Sequence, residues 1–206
     1  MKKNVLLLGS SGGVAPHVIQ GLEPHYNVRL ADLKPRPEGK PASAVDITSY
    51  EQVLEAARGV DAILNFTVNR PDPEHSFHVN TLGAWHVMKA AAELGIRKII
   101  HTGPQLVIEA HNHNFDMADT PPVPGTDYYT FTKFLSMEIC KIYAQAFRIQ
   151  TICFLFASLG PRPETEGADK DFPPFYLVWE DLQHACRLAL EIESVPGHFQ
   201  ALRNRA

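Results

Sequence analysis

DYYTFTKFLSMEI, residues 127–139, sets Tyr129 four residues ahead of Lys133. Side chains at i and i+4 on a helix are neighbours. A free phenol, with a pKa of about 10, is a poor base near neutrality. An ammonium beside it favours the phenolate and lowers that value. Together the two residues form a candidate acid–base pair. Tyr128, five residues from Lys133, faces elsewhere. An isolated tyrosine and lysine at this spacing would be read as a core aromatic and a solvated charge, so the surrounding elements decide.

A second group of residues suits a nucleotide. GSSGGVA follows an apolar run and opens a helix, with Gly9, Gly12, Gly13 and Ala15 in it and Ser11 and Val14 between them. A glycine at the strand end allows a tight turn, and another lets the backbone approach a pyrophosphate. A small residue then lets the helix pack on the strand with its N-terminus toward the phosphate. The next strand, VRLADLK, ends in Asp32, where a carboxylate grips both ribose hydroxyls and repels a 2′-phosphate. That favours NAD over NADP, although Arg36 is nearby; alternatively, Asp32 caps a turn before KPRPEGKP.

Other polar clusters are less specific. EAHNHNFDMAD gathers Glu109, His111, His113, Asp116 and Asp119, but in an apparent loop without helical ligand spacing. A polar substrate rim is favoured there over a metal, and no metal is expected. NRPDPEH, ADTPPVPG, GPRPETEG and DFPPF are proline-rich loops, either rigid walls of a substrate site or simple connectors.

The elements that must position these groups follow a regular alternation. Val5–Leu8, Val28–Ala31, Ala62–Leu64, Lys98–His101 and Gln150–Phe156 read as buried strands. Between them, TSYEQVLEAARG opens with a capping box of Thr48 and Glu51 and ends at Gly59. NTLGAWHVMKAAAELG is a second helix. The helix carrying Tyr129 has Phe131, Leu135, Ile139, Ile142 and Ala146 on one stripe, and VWEDLQHACRLALEIE is a last amphipathic helix. Such alternation predicts an α/β fold, a Rossmann-type doubly wound parallel sheet.

Composition is consistent with that fold. The 206 residues suggest one domain, and a hydrophobic fraction of 45% suits a globular protein. A net charge of -4 without a basic run argues against a nucleic-acid partner. Cys140, Cys153 and Cys186 have no ligand spacing and read as reduced thiols. The first apolar run is too short for a signal peptide or a membrane span, so a cytoplasmic protein with no membrane partner is expected.

The chain resembles the extended short-chain dehydrogenases, the NAD-dependent epimerase/dehydratase family, over nearly its whole length. LLLGSSGGVA is similar to the family's first turn. VDITSYEQV resembles the segment flanking the adenine, which implies Asp46 and Ile47. AILNFT resembles the strand beneath the cofactor, implying Asn65, Phe66 and Thr67. FHVNTLGAWHVMKAA resembles the helix whose asparagine, here Asn80, supports the active site. YTFTKFLSME resembles the catalytic helix, and VWEDLQHACRLALE the late helix after the substrate loop. Among subgroups, the short segment after residue 160 is most similar to uronate dehydrogenase-like members. The resemblance implies an oxidoreductase with NAD, acting on a hydroxyl or carbonyl of a small sugar-like or polyol substrate. Tyr129 would be the acid–base, and Lys133 would hold the nicotinamide ribose. It also implies a homodimer through the Asn80 and Tyr129 helices, with Phe134, Met137 and Tyr143 adding apolar surface.

The chain departs from the family at one strand end. Where serines would polarise the substrate oxygen, KIIHTGPQLV has Gly103 and Pro104. Thr102 is the nearest hydroxyl and Gln105 a possible replacement. Losing such a donor costs about 2.7–4 kcal/mol, so the alternative is a cofactor-binding protein with little turnover, acting as a sensor or partner-binding module. Arg162 is the only arginine between the sixth strand and WED, in a different position from the subgroup's carboxylate-binding arginine, so an acid sugar is not supported. Residues 161–206 are expected to be a reduced C-terminal substrate lobe, or the chain a truncated form.

Overall fold

The structure, a computed structural model, describes residues 1–35, 40–104, 123–162 and 176–203. Seven strands form one parallel sheet: β1 (Asn4–Leu8), β2 (Asn27–Asp32), β3 (Ser43–Ala44), β4 (Ala62–Asn65), β5 (Lys98–Pro104), β6 (Gln150–Phe156) and β9 (Phe199–Arg203). Their order is β3-β2-β1-β4-β5-β6-β9. The order reverses at β1, which pairs with both β2 and β4. That is the switch point of a Rossmann-type sheet, outside which ligands bind. A short parallel pair, β7 (Ser158–Gly160) and β8 (Tyr176–Val178), lies apart. The central strands are continuous apolar runs because helices cover both faces.

Register sets up the site. Ala31, Leu8, Asn65, His101 and Cys153 are neighbours across five strands. A row of partners in a parallel sheet points to one face, so Asn65 and His101 share a face with Leu8. Leu6, Leu8, Ile63 and Ile99 pack there with residues of α2 (Tyr50–Ala56), α4 (Gly83–Leu94) and α5 (Tyr128–Phe147). Val5, Leu7, Leu64 and Ile100 face the other way, toward α1 (Ala15–Leu22) and α6 (Trp179–Glu191).

Three helices differ from the sequence expectation. The cap of α2 is Ser49, whose hydroxyl accepts from the Gln52 N–H; Thr48 instead bonds to Asp46. The helix carrying Asn80 starts earlier, at α3 (Pro73–Ser76) behind an Asp72 cap. It passes through a π-helical turn, Phe77–Leu82, and continues as α4 to Gly95, whose φ of 72° ends it.

In α5 the predicted apolar stripe is not the inward face. Phe131 is 40% and Ile142 61% exposed, whereas Thr130, Thr132, Lys133, Ser136, Met137, Cys140 and Ala144 are buried. The inward face is partly polar because it covers the site, and a hydrophobicity pattern reports the opposite side. Among the described residues, no helix is long and apolar enough to cross a membrane.

Candidate functional site

A cleft of about 380 Å³ opens at the carboxyl ends of β1, β2 and β4. It is lined by Gly9, Ser11 and Gly12, by Asp32, by Asp46 and Ile47, and by Phe66 to Asn69. At its floor the chain leaves β1 through Gly9, at φ +82°. A Cβ there would lie 2.8 Å from the Phe66 carbonyl carbon, so only glycine fits. The Gly9 and Ser10 N–H groups donate to the Ala31 carbonyl, and Gly12 N–H turns back to the Gly9 carbonyl at 3.1 Å. A Cβ on Gly12 would press on that same oxygen at 3.2 Å, while one on Gly13 would meet nothing. Val14 then caps α1, with Pro16 in the first turn. This crowded turn, with no side chain toward the opening at Gly13 and a helix N-terminus behind it, fits a pyrophosphate.

Asp32 lines the cleft and ties its parts together. One carboxylate oxygen accepts the Ser11 N–H at 2.9 Å and the other the Lys34 N–H at 3.1 Å. Each oxygen keeps a lone pair for a ribose hydroxyl. Asp46 accepts from both the backbone and hydroxyl of Thr48. Ile47 is buried, and its carbonyl accepts from His86 Nδ1 at 2.9 Å. Gly83 lets α4 approach closely: a Cβ there would lie 2.9 Å from Ile47 Cγ1. On the opposite wall, Asn65 Oδ1 accepts the Thr67 N–H and hydroxyl.

The Tyr129–Lys133 helix starts at Asp127, whose side chain accepts the Thr130 N–H. Lys133 is buried, and its ammonium donates to the Thr67 carbonyl at 3.3 Å. Burial is the main cause that lowers its pKa, to about 8. Tyr129 is half-buried. Burial pushes its phenol above the ordinary value, and the cation that opposes the rise is Arg70, whose guanidinium carbon lies 4.8 Å from the ring centroid. Lys133, expected in that role from the sequence, donates to the Thr67 carbonyl instead.

Arg70 was not singled out by the sequence; NRPDPEH drew attention only for its prolines. It reaches Tyr129 because its loop is clamped. Asn80 accepts the Asn69 N–H and donates to the Asn69 carbonyl, both at 2.9 Å, and donates to Thr132 Oγ1. Tyr128 donates its phenol proton to the Arg70 carbonyl at 2.7 Å. Asn80 therefore holds the loop to α5 rather than lining the cleft.

At the end of β5, Thr102 is buried and spends its one proton on the Asn65 carbonyl at 3.2 Å. Gly103 and Pro104 complete the strand. A Cβ on Gly103 would meet Leu155 Cδ2 at 3.1 Å. Arg36, Gln105 and the polar rim of Glu109, His111, His113, Asp116 and Asp119 lie outside the described residues.

Comparison with known proteins agrees with this architecture. The chain is 26% identical over 205 residues to uronate dehydrogenase of Pseudomonas syringae pv. tomato, covering 94% of this chain and 71% of the relative. It is 27% identical over 169 residues to uronate dehydrogenase of Pseudomonas putida, covering 78% of this chain but 62% of the relative. The fold is similar to that of uronate dehydrogenase from Agrobacterium tumefaciens, with a TM-score of 0.82 and 18% identity over all of this chain and 77% of that one. Residues 5–177 match the NAD dependent epimerase/dehydratase family, and the chain belongs to that family.

Proposed function

We propose that the chain is an NAD-dependent oxidoreductase acting on a hydroxyl or carbonyl of a small sugar-like or polyol substrate. The observation that carries this reading is buried Lys133 bonded to the carbonyl of Thr67, a residue that lines the cleft, with Tyr129 one turn before it on the same helix. The uronate dehydrogenases among its relatives support the substrate class.

Bound NAD would supply the hydride acceptor. Asp32 would bind the adenosine ribose and exclude a 2′-phosphate, while Asp46, Ile47, Phe66 and Thr67 form the walls around it. Lys133, as an ammonium with three donors, would keep the Thr67 carbonyl and hold the second ribose with another N–H. Tyr129 would take the proton from the substrate hydroxyl, with Arg70 favouring the phenolate that must form. Residues 1–206 would act as one domain, with 161–206 as a short substrate lobe. A homodimer is part of the proposal: Phe131, Ile142 and Phe147 on α5 are exposed, with Phe77 against Phe131. Met137 would not join that contact, since it packs inward on Cys153 and Leu155.

The end of β5 favours a second reading. Thr102 has its proton committed and Pro104 offers no donor, which suits a protein that binds cofactor with little turnover. NADH formation measured against aldoses, uronates and polyols separates the two. Activity on one of them supports the oxidoreductase; NADH binding without activity on any supports the second reading. Titration of NADH against NADPH tests Asp32, and equal or tighter binding of NADPH would sink that assignment.

A further inference from the structure

Beneath the cleft, a set of buried polar groups closes on itself. Asn65 and His101 are register partners on β4 and β5. Asn65, His101, Ser136 and Lys133 are all at most 3% exposed. The Thr67 backbone N–H and hydroxyl donate to Asn65 Oδ1 at 3.1 and 2.6 Å. A backbone N–H can only donate, so the amide oxygen must face Thr67 and the amide nitrogen must face His101. That nitrogen lies 3.4 Å from His101 Nδ1, which therefore accepts, leaving the ring proton on Nε2. Nε2 lies 2.9 Å from Ser136 Oγ, and the Ser136 hydroxyl donates onward to the Lys133 carbonyl at 2.7 Å. The Lys133 ammonium donates to the Thr67 carbonyl. Every bond runs in the same sense, from Lys133 through Thr67, Asn65, His101 and Ser136 and back to Lys133.

We infer that His101 is a positioning residue: as the neutral Nε2–H tautomer it closes a hydrogen-bonded ring that fixes Lys133 at the cofactor cleft. This rests on the function proposed above. A core histidine needs only partners of some kind; here the two partners lead, by separate routes, to the backbone and the ammonium of one lysine. The ring also works in one charge state. Protonation would place an N–H on Nδ1 against the Asn65 amide N–H₂, donor against donor. Full burial, and then the Lys133 charge, hold the imidazole well below its usual pKa and oppose that protonation. Lys133 is the charged group that acts on the ring. The Cys140 and Cys153 thiols, on α5 and β6 and both acting on Lys133, are kept protonated mainly by burial. Bonds aligned head to tail in a buried site polarise one another, so breaking one link weakens the rest.

The test needs no turnover. In ¹⁵N-histidine-labelled protein, His101 is expected to show an unprotonated Nδ1 and a protonated Nε2 throughout the range of about pH 5 to 8, where an ordinary histidine titrates. His101→Phe, shown by circular dichroism to be folded, is expected to weaken NADH binding by about tenfold, the worth of one buried group left unpaired. His101→Gln, whose amide N–H can still reach Ser136, should recover most of that loss. If His101→Phe does not fold, Ser136→Ala removes a different link and should weaken NADH binding in the same way. An imidazole that titrates as an ordinary histidine, or a folded His101→Phe that binds NADH as tightly as wild type, overturns the inference. A chain with no dehydrogenase activity, but with NADH binding that depends on His101, removes the proposed reaction and keeps the ring.

Discussion

The two ends of the cleft are built from different materials. At the proposed nucleotide end the floor is a backbone turn: a Cβ on Gly9 would strike the Phe66 backbone, one on Gly12 would press on the Gly9 carbonyl, and the Ser11 N–H is held by Asp32. At the proposed catalytic end the groups are side chains brought from separate elements, with Arg70 from the loop after β4 and Tyr129 and Lys133 from α5, and with Asn80 of the π-helical turn clamping that loop. A backbone site constrains residue type at fixed spacing and leaves a pattern in the sequence. A side-chain site constrains only meeting points in space, and its members need no common spacing.

The largest test of that contrast is Tyr129→Phe. Removing a proton-transferring group is expected to cost roughly two to four decades in kcat, while NADH affinity stays nearly unchanged, because the phenol would act on the substrate. If the substitution has no effect on a reproducible activity, the pair is structural. Next, Pro104→Ser would return a hydroxyl to the end of β5. The expected gain approaches about two decades in kcat, and steady-state kinetics would show it. Gly103→Ser should gain less, because its side chain meets Leu155.

Lys133→Met should trade function for stability. The lysine's pKa falls from 10.5 to about 8 in the fold, so below pH 8 the native state carries a buried ammonium that the unfolded chain would solvate. Between about 8 and 10.5 the unfolded state holds more protons, and stability rises with pH across that window. At pH 7 the methionine variant is therefore expected to unfold at a higher temperature, by an increment approaching about 3 kcal/mol, while losing turnover. A lower melting temperature would mean that the Thr67 bond outweighs burial.

The smallest effect is expected from Arg70→Ala. Arg70 is the group that opposes the rise burial imposes on the Tyr129 phenol among the described residues, so without the guanidinium the pH at which the rate climbs should move upward. The rate near neutrality should drop by about tenfold for a change of one pKa unit. An unchanged pH–rate profile would show that Arg70 only covers the ring.

Much of the frame was legible in the sequence because it follows from local rules. The apolar runs from Val5, Ala62 and Gln150 became central strands, and Gly9 and Gly12 marked the turn. Tyr129 and Lys133 sit on one helix as their spacing required. What was not legible depended on partners far along the chain. The apolar stripe from Phe131 to Ala146 does not mark the inward face of α5, because that helix buries Thr132, Lys133 and Ser136. His101 read as one more residue of a buried strand until β4 placed Asn65 beside it. Arg70 carried no signal of its own, since only the Asn80 clamp on Asn69 explains why it reaches the tyrosine.

The π-helical turn at Phe77–Leu82 can be viewed as a change of phase. A regular α-helix advances each residue by about 100°, so every contact downstream is locked to every contact upstream. A wider turn absorbs extra rotation and resets that phase. Upstream, Ser76 is aligned to the Asn69 loop; downstream, Gly83 is aligned to Ile47 and His86 to its carbonyl. Asn80 sits within the reset itself. Removing one residue there would rotate one set of contacts by about 100° relative to the other. Such a helix could serve the Ile47 side of the cleft or the Asn69 loop, but not both at once.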